Sequence, residues 1–295
     1  MTNSEKRQKL RRRLTAGPMI VAPGIYDAYG ARFVEQAGFE AVYMTGNGVS
    51  ASLLGRPDVG LIDLTLLSQH AHRAAACVDI PLICDADTGY GNAVNVRRTV
   101  EEFEAAGVAG IHLEDQVSPK RCGHLPGSRP VIELEEAVGK VEAAIAARRD
   151  PDFIIIARTD SASAHGLDDA IRRGQAFRKA GADVVFVELK SSPQIKEQLK
   201  RVTDEIDAPC LVNVEELGEL GQLTGAELDK LGLRLAIYPG LGRYAAGYGI
   251  RHALDALKRD GTTIKARDRM LSFRDYNAVL GISDVEEWEK RFLLR

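Results

Sequence analysis

The chain has 295 residues, 45% of them hydrophobic and 27% charged, with a formal net charge of −3. That near-neutral balance leaves no electrostatic footprint for a nucleic-acid partner, and no run approaches the ~20 apolar residues that span a bilayer. The four cysteines, Cys77, Cys84, Cys122 and Cys210, show neither CxxC pairing nor zinc spacing, so a reducing cytoplasm is the expected setting.

Met1 to Arg13 is basic but has no apolar run behind it, and reads as neither signal peptide nor membrane anchor. Beyond it, apolar β-rich runs alternate with amphipathic segments, the mark of a parallel α/β architecture. Strands are predicted at Met19–Ala22, Ala41–Met44, Leu82–Cys84, Gly110–Leu113, Phe153–Ala157, Val184–Val187, Cys210–Val212 and Leu235–Ile237. Their hydrophobicity is continuous rather than alternating, as in strands covered on both faces. Helices are predicted between them, at Asp27–Ala37, Val94–Ala106, Glu133–Ala147, Leu167–Ala180 and Pro193–Glu205. Eight strands followed by helices make a (β/α)8 TIM-type barrel, assigned to residues 1–261. The competing doubly wound sheet wants a glycine-rich phosphate turn after its first strand, and Pro23-Gly24-Ile25-Tyr26-Asp27 is not one.

Residues 262–295 form a C-terminal extension carrying Phe273, Tyr276, Trp288 and Phe292. Apolar side chains this frequent beyond a closed barrel need cover. They are read as one or two helices exchanged between subunits, with folding back onto the chain's own barrel as the alternative.

A weak internal repeat accompanies the barrel. Ala37-Gly38, Ala106-Gly107 and Ala180-Gly181 each end a helix with glycine suited to a left-handed cap. The seventh residue after each glycine is polar, namely Thr45, Glu114 and Glu188; Leu231-Gly232 starts a similar unit that reaches Pro239. The repeat thus delivers side chains to the C-terminal mouth, where barrel enzymes keep their chemistry.

Three stretches carry that chemistry. In Cys84-Asp85-Ala86-Asp87-Thr88-Gly89-Tyr90-Gly91 the two aspartates, two apart at a strand end, point the same way. Adjacent carboxylates repel unless a cation or proton separates them, and all-oxygen ligation indicates Mg²⁺ or Mn²⁺. Glu114 completes the group, while helix capping by Asp87 is the structural alternative. In Lys120-Arg121-Cys122-Gly123-His124 a cysteine sits among cations that favour its thiolate, as a proton donor or nucleophile. Arg158 breaks an apolar strand and suits a substrate carboxylate, or an ion pair with Asp160 or Glu188.

These residues resemble the isocitrate lyase and phosphoenolpyruvate mutase superfamily, most closely its short bacterial branch of 2-methylisocitrate and 2,3-dimethylmalate lyases. The match runs from about Gly17 to Lys258. It rests on Tyr43-Met44-Thr45-Gly46, the Asp85–Gly91 run, Glu114-Asp115-Gln116, the cysteine loop, Ala157-Arg158-Thr159-Asp160 and Asn213. The resemblance implies Mg²⁺ (or Mn²⁺) on Asp85, with Asp87 and Glu114 reaching it through water. It also implies a retro-aldol cleavage of a 2-hydroxy acid, with Tyr43 as base or proton relay. Cys122 would protonate the departing carbanion, helped by Glu188 and His124, and Arg158 would hold a carboxylate. Thr45, Gly46, Asn47, Asp58, Asn213 and Arg243 are the implied substrate neighbours, the substrate is a dicarboxylate, and the assembly is a homotetramer. Oxaloacetate hydrolysis or decarboxylation, phosphonomutase chemistry and a non-catalytic metabolite-binding barrel are the competing readings.

Two departures bear on the substrate. Position 47 is Asn where the methylisocitrate lyases have glycine, and the arginine they place six residues past the eighth-strand tyrosine falls here on Tyr244, with Arg243 one place earlier. That shift is expected to turn the guanidinium away from the pocket. Glu215 adds negative charge nearby, so an alkylmalate is expected rather than methylisocitrate.

Overall fold

The computed structural model describes residues 1–123, 125 and 129–293. Eight parallel strands close into a barrel in sequence order, with β1 paired to both β2 and β8. They are β1 (Ile20–Ile25), β2 (Val42–Met44), β3 (Leu82–Asp85), β4 (Gly110–Glu114), β5 (Ile154–Thr159), β6 (Val184–Val187), β7 (Cys210–Asn213) and β8 (Leu235–Tyr238). All eight predicted strands are present, each within a few residues of its expected bounds. Inside the barrel Ile83, Ile156, Phe186, Leu211 and Ile237 pack against one another, while the outer faces meet helices. Burial on both sides explains the unbroken apolar runs.

The repeat has a structural cause. Gly38, Gly107, Gly181 and Gly232 have φ between +82° and +102°, the left-handed region that L side chains avoid. Each reverses the chain from a helix into the next strand, so residues counted from it arrive at the same barrel height.

The basic N-terminus is a helix, Asn3–Thr15, with a capping box between Thr2 and Glu5. Leu10 and Leu14 close the bottom of the barrel core. Lys6 donates to the carbonyls of Ala75 and Val78, and Arg7 to those of Val108 and Glu104. Its charged side chains serve helix ends and loops, which is why hydropathy did not mark it as structural.

In the extension, helix Phe273–Val279 lies on the chain's own helix Ala28–Gln36, with the Tyr29 and Tyr276 rings 5.6 Å apart. Helix Ile282–Phe292 has no buried residue and leaves Val285, Trp288 and Phe292 exposed. One part of the tail therefore folds back, and the other leaves an apolar face open.

Candidate active site

The C-terminal ends of the strands surround a cavity of about 40 Å³ lined by Tyr43, Thr45, Asn47, Asp58, Glu114, Lys120, Cys122, Arg158, Glu188, Asn213 and Arg243, among others. The three residues singled out by the repeat, Thr45, Glu114 and Glu188, all face it, and Pro239 occupies the fourth position. His124 lies outside the described residues.

Asp85 and Asp87 lie just beneath the cavity, both buried. Strand alternation does not explain their convergence, because β3 ends at Asp85. Instead Asp87 adopts φ +48°, a left-handed conformation costing on the order of 1 kcal/mol. The turn brings the Asp87 N–H to Asp85 Oδ1 at 3.0 Å. Asp87 caps no helix; Asn92 is the N-cap of helix Ala93–Ala105. Gly46 is needed for close approach, since its N–H donates to Asp85 Oδ2 at 3.3 Å and a Cβ there would stand 2.9 Å from that oxygen.

Lys120 enters the site in a way its sequence neighbourhood did not suggest. Its Nζ lies 2.7 Å from Asp87 and 2.8 Å from Asp58. Burial opposes the ammonium, but Asp87, Asp85 and Asp58 outweigh it and hold the pKa well above the ordinary lysine value. Lys120 therefore neutralises acids rather than serving the Cys122 thiol. Burial would raise Asp85, yet His112, Lys120 and Arg158 hold it down at about 2. Asp87 is pushed up by burial and by Asp85 and Asp58, with Lys120 acting against them.

Arg158 forms both ion pairs considered from the sequence. It contacts Asp160 at 2.9 Å and Glu188 at 3.3 Å, and also Glu114 at 3.3 Å. Its planar fork still lines the cavity. Asn213 Nδ2 stands 3.3 Å from both Glu188 oxygens, which fixes that carboxylate. Cys122 accepts a hydrogen bond from Asn47 Nδ2 at 3.1 Å, and its backbone N–H donates to Asp58 O.

Sequence reasoning gave His112 no role. It is fully buried, shares a 2.7 Å hydrogen bond with the Tyr43 hydroxyl, and lies 3.6 Å from Asp85. Burial drives its pKa down to about 4, so the ring is neutral. Tyr43 is raised well above the usual phenol value, by burial and by Asp85. Only its place one residue after Ile111 in a buried strand could have flagged His112.

Arg243 is among the residues that line the cavity. Its guanidinium carbon lies 4.8 Å from the Tyr244 ring centre, and Nη2 donates to the Tyr244 hydroxyl at 3.2 Å. Helix Leu241–Asp260 starts directly after the β8 loop and brings Arg243 to the mouth in its first turn. Glu215 borders an adjoining chamber of about 320 Å³ beyond Glu188 and Asn213.

The donor set suits a hard divalent cation. Asp85, Asp87 and Glu114 offer only carboxylate oxygens, and buried Glu114 Oε1 has no hydrogen-bond partner. Among the described residues no three His, Cys, Asp or Glu side chains form a ready cage. Mg²⁺ needs none, because it is commonly held by one or two carboxylates with waters and substrate oxygens.

A family model described as phosphoenolpyruvate phosphomutase matches residues 10–258. The chain belongs to the phosphoenolpyruvate mutase family. Within it, the chain is 45% identical to 2,3-dimethylmalate lyase of Eubacterium barkeri, over 96% of this chain and 97% of that one. Among solved structures it is similar to oxaloacetate acetylhydrolase bound to 3,3-difluorooxalacetate, with TM-score 0.91, 36% identity and 97% of each chain covered. It is also similar to phosphonopyruvate hydrolase bound to oxalate and Mg²⁺, with TM-score 0.89, 32% identity, and 99% and 100% of the two chains covered. The superfamily resemblance carried by the cysteine loop and the Asp85–Gly91 run is thereby borne out.

Proposed function

We propose that this protein is a Mg²⁺-dependent carbon–carbon lyase that cleaves an alkyl-substituted malate, of the 2,3-dimethylmalate kind, into a 2-keto acid and a carboxylic acid. The observation that carries the reading is Cys122, held by Asn47 in the wall of a cavity whose other sides present Arg158, Glu188 and Tyr43, the last hydrogen-bonded to His112 behind it. The 45% identity to a dimethylmalate lyase supports the substrate class. The preference for an alkylmalate draws on Glu215, whose carboxylate borders the adjoining chamber where a third substrate carboxylate would lie.

Asp85, with Asp87 and Glu114, would hold the metal, which when bound lowers the substrate hydroxyl pKa and stabilises the keto acid. The hydroxyl proton leaves toward Tyr43 and His112, which share a hydrogen bond. A high phenol pKa makes Tyr43 a relay rather than a standing phenolate base. The hydroxyl oxygen's electron pair forms the keto group as the adjacent carbon–carbon bond breaks, and its electrons remain on the departing α-carbon. The Cys122 thiol gives that carbanion a proton, with Glu188, and His124 beside it in sequence, as helpers. Arg158 offers its guanidinium to a carboxylate.

Incubation with 2,3-dimethylmalate, 2-methylmalate and 2-methylisocitrate in Mg²⁺ is expected to release a 2-keto acid from at least one, and chelation by EDTA to stop it. Keto acid measured by coupled reduction checks this; no product from any of the three overturns the reading. Similarity to oxaloacetate acetylhydrolase favours a second reading, hydrolysis or decarboxylation of oxaloacetate at the same site.

We also infer a homotetramer in which the C-terminal extension covers a neighbouring subunit, in a cytoplasm that keeps the four free cysteines reduced. Exposed Tyr248, Ile250 and Leu254 on helix Leu241–Asp260, together with Trp288 and Phe292, supply the apolar surface. Beside them an apolar groove of about 670 Å³ runs between Phe33, Phe39, Leu241 and Ile250. A chain ending at Lys258 is expected to elute from gel filtration as a smaller species than the full chain. The same assembly size in both would rule out this role for the tail.

A further inference from the structure

After β4 the chain leaves the barrel and returns to it. Gln116 and Val131 form an antiparallel bridge at the base of this excursion, and the Val117 N–H donates to Pro130 O at 2.9 Å. Cys122 is on the outgoing leg, and each leg carries a buried cation. Lys120 holds the outgoing leg to Asp58 and Asp87. Arg129 holds the returning leg: its side chain is 2% exposed and its Nη1 lies 2.5 Å from Asp160 Oδ1. The same Asp160 carboxylate accepts from Arg158 Nε and Nη2, at 2.9 and 3.0 Å.

Arg129 also packs under the residue that follows the cysteine. A Cβ at Gly123 would stand 2.8 Å from Arg129 Nη1 and 3.4 Å from Glu188 Oε1. Gly123 therefore lets the backbone beside Cys122 rest directly on the guanidinium. We propose that Arg129 is a positioning residue for Cys122, a strut between Asp160 and the Gly123 backbone that sets the thiol relative to Arg158 and Glu188. The proposal rests on Cys122 being the proton donor of the reaction above.

A purely stabilising role accounts poorly for this arrangement. Removing one partner of a buried ion pair is costly where it leaves the other charge uncompensated, but the Nε and Nη2 donors of Arg129 have no hydrogen-bond partner among the described residues. Loss of Arg129 would not leave Asp160 unpaired either, because Arg158 remains on both its oxygens. What a methionine cannot replace is a guanidinium that is paired with Asp160 and stands within packing distance of Gly123.

The test compares R129M and R129K with the wild-type protein. It measures the rate at which iodoacetamide alkylates Cys122, read on the Cys122 peptide by mass spectrometry, alongside the melting temperature and kcat and KM on 2,3-dimethylmalate. In R129M, Cys122 is expected to alkylate about tenfold faster, because the backbone beside it loses the guanidinium it packs on and opens more readily. Turnover is expected to fall about 10²-fold, as for a misplaced reacting group, with KM little changed. The melting temperature stays near wild type, and R129K falls between the two proteins. An unchanged Cys122 rate in R129M overturns the proposal, whether or not kcat and melting temperature fall together. Should R129M not fold, R129K is read alone, and a Cys122 rate equal to wild type overturns it. The alkylation measurement needs no turnover, so an error in the assigned reaction shows separately, as absence of product from wild-type protein.

Discussion

Replacing Cys122 by serine is expected to lower turnover of 2,3-dimethylmalate by about 10²–10⁴-fold, the usual contribution of a positioned general acid. KM should change little, because the thiol acts on charge that develops only as the carbon–carbon bond breaks. A serine hydroxyl fits the space and can still accept from Asn47, whose Nδ2 is 3.1 Å from the sulfur. As an acid it is far weaker than a thiol, so the carbanion waits for its proton. The same variant separates the two readings of the site. Decarboxylation of oxaloacetate makes no use of the thiol and should persist in C122S. Steady-state kinetics on both substrates decides the matter, and a C122S enzyme that cleaves dimethylmalate at the wild-type rate removes Cys122 from the mechanism.

Lys120→Met is expected to be the most destabilising single change in the site. Nζ lies within 2.8 Å of both Asp58 and Asp87, and Asp85 is close enough to raise its pKa further. Without the ammonium, buried carboxylates face one another uncompensated. Breaking a buried pair in this way costs about 3–5 kcal/mol, which lowers the melting temperature by on the order of 10 °C. Mg²⁺ should return part of the loss, because a cation on Asp85 and Asp87 supplies the missing charge. Thermal melts of K120M with Mg²⁺ and with EDTA check both effects. A melting temperature equal to wild type in EDTA would show that the acids do not depend on Lys120.

The path from Cys122 to Lys120 also shows how far the sequence could be read. Lys120 looks like a cation beside a cysteine when only neighbours in the chain are considered. Its partners, Asp58 and Asp87, are 62 and 33 positions away in numbering, and only closure of the barrel makes them adjacent. His112 was hidden for a similar reason: it lies among the apolar residues of β4, and its partner Tyr43 comes from β2. Arg129 follows the cysteine loop with no local motif, and its importance comes from Asp160, just past the end of β5. The tail was only half legible. Its apolar content asked for cover, and helix Phe273–Val279 finds some on its own barrel, while helix Ile282–Phe292 leaves its apolar face exposed.

By itself the sequence determined the barrel, because continuous apolar strands and left-handed glycines after helices are local features that repeat at each βα unit. The same regular spacing placed Thr45, Glu114 and Glu188 at the mouth, and the cysteine loop and aspartate run pointed to the family. The tertiary structure alone decided which charges meet. Lys120 became the counter-ion of the acid cluster, His112 the partner of Tyr43, and Arg129 the support beneath Gly123. The physical reason is range: backbone conformation and hydrophobic period are written within a few residues, whereas an ion pair is written only in the distance between strands.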